Sequence, residues 1–202
     1  MNTHLGISES LSVEQVNAEA IAQSEYVYLE GYLVTSETGR AAAIEARKIA
    51  EQAGVKTAIS LSDPGMVEFF KDGLQAMIGD RVNLVFCNEA EAKGWANTSD
   101  LDTAIESLKN IADTFAITLG SKGALVFDGS RLETIAAHAV HAVDTNGAGD
   151  MFAGAFLYAI SHGHSFKTAG QLASLASAAV VSDYGPRLSK NKHRELLDSF
   201  QS

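Results

Sequence analysis

Residues 143–150 constrain the fold of this chain most, because an extended segment there becomes a Gly-rich turn and opens a long helix. Gly147 and Gly149 let the backbone turn tightly and approach a ligand closely, since they carry no Cβ atom. The first N–H groups of a helix have no partner within it, and the helix dipole places partial positive charge beside them. Both properties suit an anion, so we predict a phosphate-binding turn here.

The helix after this turn carries the second part of the prediction. Residues 151–160 are apolar on every face, which indicates a buried helix whose first turn is held in place. Asp150 lies in that turn, where its charged form is stabilised and where it can accept the proton of a substrate hydroxyl. The alternative is that Asp150 only caps the helix and the glycines only turn the chain. For a lone Gly-x-Gly this simpler interpretation is favoured.

Strand-like and helical patterns alternate along the rest of the chain. The predicted strands are residues 26–29, 57–61, 83–87 and 115–119, a hairpin of 124–127 with 131–135, and an extended piece at 138–143. The predicted helices are residues 13–22, a helix opened by a cap at Thr35 or Ser36 and ended by Gly54, 67–78, one beginning at Asn88, 101–112, 148–161, 166–181 and 189–201. Residues 62–65 are predicted to form a turn. This alternation predicts an α/β fold with a mainly parallel sheet, in which ligands bind at the carboxyl ends of strands.

Two polar segments follow predicted strands. Asn88 suits the position before a helix, and Glu91 falls on the same side of its first turn, so the pair forms either a capping box or a shared ligand site. From these residues alone the capping box is favoured. Further on, Gly120 and Gly123 permit a loop whose backbone N–H groups wrap a nucleotide, although an ordinary hairpin turn explains them equally well.

Composition narrows the class of protein. The 202 residues are 46% hydrophobic and contain no low-complexity linker, which predicts one globular domain over residues 1–202. A net charge of -10 argues against a nucleic-acid or anionic-membrane partner. Cys87 is the one cysteine, and residues 1–5 show no targeting signal, so we expect a cytoplasmic protein without disulfides.

The central turn also resembles a known family signature. Asp144-Thr145-Asn146-Gly147-Ala148-Gly149-Asp150, followed by Gly154 and Ala155, is similar to the C-terminal motif of the ribokinase-like (PfkB) carbohydrate and nucleoside kinases. Asn88-x-x-Glu91 and Thr118-x-Gly120-x-x-Gly123 match two further motifs of that family, in the family's order. The resemblance runs from about residue 26 to residue 188. It implies a ribokinase-like three-layer α/β/α fold with a small antiparallel edge.

The resemblance implies a phosphotransferase that uses ATP and Mg²⁺. The implied catalytic residues are Gly147, Ala148 and Gly149, whose N–H groups stabilise the γ-phosphoryl group, and Asp150, which takes the proton of the acceptor hydroxyl. The implied nucleotide-binding residues are Asn88, Glu91, Thr118, Gly120, Gly123, Thr145 and Asn146, with Glu91 holding Mg²⁺ through water. Lys122 is a weaker candidate for a phosphate contact.

Further family features concern the edges of this site. Gly185-Pro186-Arg187 resembles a family segment that closes the nucleotide site, and Ser174 lies near the place where relatives carry an Asn beside the adenine. Relatives often bind a monovalent cation such as K⁺ next to the anion hole, to which Asp144 is a candidate contributor.

The expected acceptor is a small molecule. Glu30-Gly31-Tyr32 and Ser62-Asp63-Pro64 look most like the adenosine-kinase-like branch, which implies a hydroxyl of a nucleoside or sugar, adenosine-like or ketose. The family's acceptor-binding Asp, Gly-Gly signature and β lid have no counterpart here, so we expect an N-terminally truncated member. Its sheet is expected to have an unpaired edge strand. Such an edge can aggregate or pair with another chain, which is compatible with a homodimer. The alternative function is a non-catalytic nucleotide-binding or oligomerisation module.

Overall fold

The computed structural model describes residues 6–201, and the chain divides after Phe115 into two compact units. Residues 1–5, where the sequence analysis finds no targeting signal, and residue 202 lie outside the described part. Each unit buries apolar side chains of its own: Ile59, Leu74, Met77, Leu84 and Leu108 in the first, and Ile117, Val126, Ile135, Phe156 and Ala173 in the second.

The first unit is built on parallel strands. They are β1 (Tyr26–Glu30), β2 (Lys56–Ser60), β3 (Val82–Asn88) and the start of β4 (Ala112–Thr118), and they follow that order in the sheet. β1 pairs with β2 in parallel with Tyr28 opposite Ala58, and β2 pairs with β3 in parallel with Ala58 opposite Leu84. The carboxyl ends of β1, β2 and β3 therefore lie at one edge, as the sequence predicted.

Six α-helices lie among the described residues of this unit. They are α1 (Ala18–Ala22), α2 (Glu37–Ala53), α3 (Pro64–Phe69), α4 (Lys71–Ile78), α5 (Glu89–Ala96) and α6 (Leu101–Lys109). Ser36 accepts a hydrogen bond from the Gly39 N–H at the start of α2, and Gly54 ends α2 with a φ of 70°. Both helix limits were predicted, the start from a cap at Thr35 or Ser36 and the end from Gly54, because a hydroxyl suits a helix start and glycine tolerates the left-handed conformation at its end.

Three local predictions in the first unit are wrong. The single helix expected over 13–22 is a 3-10 turn (Val13–Gln15), with the capping box at Ser12, followed by the short helix α1. The helix expected over 67–78 is broken at Phe70 into α3 and α4. Of the turn expected at 62–65, Pro64 and Gly65 instead begin α3, because Asp63 accepts the Gly65 N–H at 2.8 Å and Pro64 suits a first helical position.

The second unit begins within β4 and continues with a hairpin and three helices. β5 (Ala124–Phe127) pairs antiparallel with β6 (Leu132–Ile135), which confirms the predicted hairpin. The helices are α7 (Ala148–Ser161), α8 (Phe166–Val181) and α9 (Lys190–Gln201). The extended strand expected at 138–143 is absent, since those residues form no ladder. No helix among the described residues combines the length and hydropathy needed to cross a membrane.

Helix α7 packs on α8 along one face only. The buried residues of α7 are Phe152, Ala153, Phe156 and Ala159. The rings of Phe156 and Phe166 pack edge to face, with 5.2 Å between their centroids. On the opposite face, Gly154 is exposed and Tyr158 is 37% exposed. The prediction that α7 is buried all round is therefore wrong for this face, which no other described element covers completely.

Candidate functional site

Asn88 and Glu91 form a reciprocal pair in the first unit. Asn88 ends β3, and its Oδ1 accepts the Glu91 N–H at 2.8 Å. In return Glu91 Oε2 accepts the Asn88 N–H at 2.9 Å, and Oε1 accepts from Asn88 Nδ2 at 2.5 Å. The capping box predicted as the simpler alternative is therefore present, and it fixes the rotamers of both side chains.

Glu91 is an unusual capping residue because it is buried. The residue is only 4% exposed, and burial raises the pKa of its carboxyl group to about 7. Hydrogen bonding from the Asn88 backbone N–H lowers this pKa, whereas the charges of Asp63 and Glu30 raise it. Glu30 ends β1, and Asp63 and Glu91 follow β2 and β3, so a cation at this edge would favour the charged forms of all three carboxyl groups.

The residues around Glu91 are better suited to a magnesium ion that keeps its water ligands than to an ion held by protein side chains alone. Among the described residues, no group of three or more His, Cys, Asp or Glu side chains is arranged to hold a metal. A carboxylate has about four lone-pair sites, and Asn88 uses two of those on Glu91, which leaves acceptor capacity for metal-bound water. Mg²⁺ usually keeps several waters and takes one or two carboxylates with phosphate oxygens, so the donor set is compatible with it.

The glycine loop after β4 is a tight turn in the second unit. Gly120–Lys122 forms a 3-10 turn, and the Leu119 N–H donates to the Gly123 carbonyl at 2.8 Å. Gly123 has a φ of 95°, and a Cβ atom there would overlap the carbonyl oxygen of Ile135. Glycine at 123 is therefore required by both backbone conformation and space.

A cavity of about 620 Å³ lies beside this loop within the second unit. Its walls include residues from the loop, from the segment after β6, from the start of α7 and from α8: Thr118, Gly120, Ser121, Gly123, Ala137, His138, Ala139, Val140, Ala142, Thr145, Ala148, Gly149, Phe152, Ser174, Ser177, Ala178 and Val181. We call it the Gly-loop cavity. Cavities of about 300 to 1,000 Å³ with a few polar groups on apolar walls are typical of small-molecule sites.

The turn before α7 has the conformation that its sequence predicts. Gly147 precedes the helix with a φ of 76°, and no side chain caps the first N–H groups of α7. A Cβ atom on Gly147 would lie 2.5 Å from the carbonyl oxygen of Pro186, so only glycine allows Pro186 to pack against the turn. Ser177 of α8 donates to the Ala148 carbonyl at 2.8 Å, which joins the start of α7 to its neighbour.

Asp144 fixes the same turn through backbone hydrogen bonds. Its Oδ1 accepts the Asn146 N–H at 3.0 Å and its Oδ2 accepts the Gly185 N–H at 3.1 Å. Both bonds lower the pKa of Asp144, the one from Asn146 more strongly, so the side chain is charged at neutral pH.

Asp150 lies on a second depression of about 500 Å³, which we call the Asp150 groove. Its walls come from α7, α8, α9 and the segment before α9: Asp150, Met151, Gly154, Ala155, Tyr158, Leu172, Ala176, Pro186, Arg187, His193, Leu196 and Leu197. The Asp150 residue is exposed, and its carboxylate has no hydrogen-bond partner among the described residues. It is therefore free to accept a proton or hydrogen bond from a ligand.

The sequence located part of this arrangement. Thr118, Gly120, Gly123 and Thr145 line one cavity together with Ala148 and Gly149, whereas Asn146, Gly147 and Lys122 do not line it. Ser174 also lines that cavity, and its hydroxyl donates to the Ala136 carbonyl at 3.0 Å. Residues 137–140 and 142 were missed as wall residues, because the segment 138–143 was expected to be extended and carries no motif.

Arg187 is placed differently from the expectation. It was expected to close the nucleotide site, yet it lines the Asp150 groove and is not among the residues around the Gly-loop cavity.

Comparison with known proteins gives consistent matches. Residues 1–193 match the family described as pfkB family carbohydrate kinase. A ribokinase from Haemophilus influenzae is 30% identical over 206 residues, which cover 99% of this chain and 62% of the relative. The solved adenosine kinase from Sinorhizobium meliloti superposes with a TM-score of 0.89 at 32% identity, covering 95% of this chain and 59% of that one.

A further solved structure shares the fold. A protein from E. coli, described as a ribokinase II in complex with ATP and Mg²⁺, superposes with a TM-score of 0.83 at 20% identity and covers 94% of this chain and 64% of that one. These matches confirm the predicted three-layer α/β fold with a mainly parallel six-stranded sheet and an antiparallel edge. Some curated relatives match this chain along most of its length, and the chain spans about 60% of the length of those relatives.

Proposed function

The chain belongs to the pfkB family of carbohydrate kinases, and on that premise we propose that it transfers the γ-phosphoryl group of ATP to a hydroxyl of a sugar or nucleoside. The observation that carries the proposal is the Gly-loop cavity. It joins Thr118, Gly120 and Gly123 of the loop to Ala148 and Gly149 at the start of α7, where no side chain caps the N–H groups and the Ala148 N–H has only a long bond of 3.3 Å to the Thr145 carbonyl. A nucleotide site needs two such parts, because one part of the cavity must bind the base and sugar and the other must bind the phosphates.

The proposed chemistry needs few side chains. The N–H groups of Gly147, Ala148 and Gly149 stabilise the charge of the transferring phosphoryl group. Asp150 accepts the proton of the acceptor hydroxyl while the new P–O bond forms and the bond between the γ-phosphorus and the bridging oxygen breaks, so that ADP leaves. The open position of the Asp150 carboxylate supports this role. Thr145 and Asn146 are proposed to contact the nucleotide from the same turn.

Asn88 and Glu91 are proposed to hold magnesium through water, and the buried capping geometry supports a fixed position for both side chains. When bound, the ion neutralises phosphate charge and orients the phosphates. The E. coli protein of the same fold that was solved with ATP and Mg²⁺ supports this cofactor pair. A monovalent cation such as K⁺ is proposed beside the turn, with Asp144 as a contributing side chain.

The acceptor is proposed to be adenosine-like or a ketose. The relatives named ribokinase and adenosine kinase support both classes. We further propose a cytoplasmic protein whose partners are small molecules rather than nucleic acids or membranes, since the net charge is -10. We also predict that the chain is a single kinase core domain and that it forms a homodimer.

A second candidate function is a non-catalytic nucleotide-binding or oligomerisation module, because the Gly-loop cavity suits the binding of a nucleotide whether or not a phosphoryl group is transferred. The deciding assay measures ADP formation from ATP-Mg²⁺ with a panel of nucleosides and ketoses, alongside nucleotide binding by thermal shift. Acceptor-dependent ADP formation supports the kinase. Nucleotide binding without turnover supports the module.

A further inference from the structure

The segment after α8 is held directly against the turn before α7, residues 144–147, which we call the phosphate turn. The Gly185 N–H donates to Asp144 Oδ2 at 3.1 Å, and Pro186 packs so closely on Gly147 that a Cβ atom at 147 would lie 2.5 Å from the Pro186 carbonyl oxygen. The Val143 N–H also donates to the Val181 carbonyl at 2.7 Å. The position of the residue after Pro186 is therefore tied to that of the turn.

That residue is Arg187. It lines the Asp150 groove together with Asp150 and His193. It is exposed and forms no ion pair or side-chain hydrogen bond with any described residue. A guanidinium group without a partner, on a wall shared with the proposed base, is available to bind an anion.

We infer that Arg187 is a catalytic residue that contacts the phosphoryl group while it moves from ATP to the acceptor oxygen beside Asp150. The inference rests on the proposed kinase function. Arg187 donates two N–H hydrogen bonds to phosphoryl oxygens that do not take part in bond making or breaking. The guanidinium neither gains nor loses a proton, since the proton of the hydroxyl goes to Asp150 and the bridging electron pair leaves with ADP.

The physical reason for a cationic residue here is that two negative charges come close together during the transfer. The transferring group is anionic and the proposed base, Asp150, is a carboxylate, so the two repel each other as the acceptor oxygen is approached. A cation on the same groove offsets that repulsion. Arg suits the task better than Lys, because its planar fork matches two phosphate oxygens at once.

The first test is the kinetics of Arg187→Met. We expect kcat to fall on the order of 10²-fold, with the KM for ATP nearly unchanged. Added guanidinium should restore part of the lost kcat, which a merely structural role would not allow. Arg194→Met is the matched control, because Arg194 is an exposed arginine nearby on α9 that does not line the groove.

The second test does not depend on turnover. Inorganic phosphate is titrated calorimetrically into the wild-type chain and both variants. We expect Arg187→Met to weaken phosphate binding about tenfold and Arg194→Met to bind as the wild type does. The inference is overturned if the wild type binds no phosphate, if Arg187→Met binds it like the wild type, or if both variants lose affinity equally. If the wild type shows no acceptor-dependent turnover, the proposed kinase function fails, and the titration still decides the role of Arg187 as an anion-binding residue.

Discussion

The carboxylate of Asp144 accepts the backbone N–H of Gly185 at 3.1 Å, across 41 positions of sequence. The bond joins the turn before α7 to the segment after α8, and the second oxygen of Asp144 holds the Asn146 N–H within the turn. The conformation of the phosphate turn therefore depends on a contact that is distant in sequence.

Removing that contact should weaken ATP binding. In Asp144→Ala both N–H groups lose their acceptor, and the turn is less well fixed, so we expect the dissociation constant for ATP to rise about tenfold. Asp183→Ala is the control, because that carboxylate accepts from Lys192 and the Tyr184 N–H instead. Calorimetric titration with ATP-Mg²⁺ measures the dissociation constant for both variants and for the wild type. Equal affinity in Asp144→Ala and the wild type would contradict the role given to this bond.

Gly123 should tolerate alanine poorly. The new Cβ atom would overlap the Ile135 carbonyl oxygen, in a backbone with a φ of 95°, so we expect Gly123→Ala to lower the free energy of unfolding by about 2 to 4 kcal/mol. At Gly120 a Cβ atom would meet no atom within 4 Å beyond its chain neighbours, and only the φ of 60° opposes a side chain, so Gly120→Ala should cost about 1 kcal/mol. Urea unfolding of the two variants compares them. A loss at 120 as large as that at 123 would show that space is not the cause.

Glu91 should make stability depend on pH. Burial raises its pKa to about 7 in the folded chain, above the ordinary value of 4.5, so the folded state binds the proton more tightly than the unfolded state. Its stabilising contribution is therefore fully present below about pH 4.5 and is lost as pH rises towards 7, by at most about 3 kcal/mol.

Glu91→Gln should remove that dependence, since an amide does not titrate. The free energy of unfolding is measured between about pH 4.5 and 7.5 for this variant, the wild type and Glu89→Gln, whose carboxylate pairs with Lys93 in the wild type. A slope that survives in Glu91→Gln would assign the titration to another group.

The sequence predicted elements whose causes are local. Ser36 and Gly54 mark the ends of α2, and the β5–β6 hairpin closes through Asp128, which accepts the Arg131 N–H, and Gly129, which has a φ of 95°. Side-chain caps and glycine φ values act within a few residues, so a sequence pattern can express them. Asn88 and Glu91 were predicted as either a capping box or a ligand pair, and the capping box is present. The family motifs identified the fold and the order of the site segments.

What the sequence missed depends on contacts between distant segments. The apolar pattern of residues 151–160 predicted burial on all faces, yet only the α8 side of α7 is covered in the described chain, and Tyr158 lies in the Asp150 groove. Residues 137–140 and 142 carry no binding motif, so nothing local indicated that they line the Gly-loop cavity. Arg187 belongs to the groove because Pro186 packs on Gly147, a contact that no spacing rule expresses.

The most direct test of the kinase assignment is Asp150→Asn, which keeps the size of the side chain and removes its capacity to accept a proton. ADP formation with the best acceptor and ATP affinity are measured for this variant, the wild type and Asp183→Asn as the control. We predict that turnover falls by about 10² to 10⁴-fold in Asp150→Asn while ATP affinity is nearly unchanged. Acceptor-dependent turnover at the wild-type rate in Asp150→Asn would contradict the assignment of the base and the mechanism built on it.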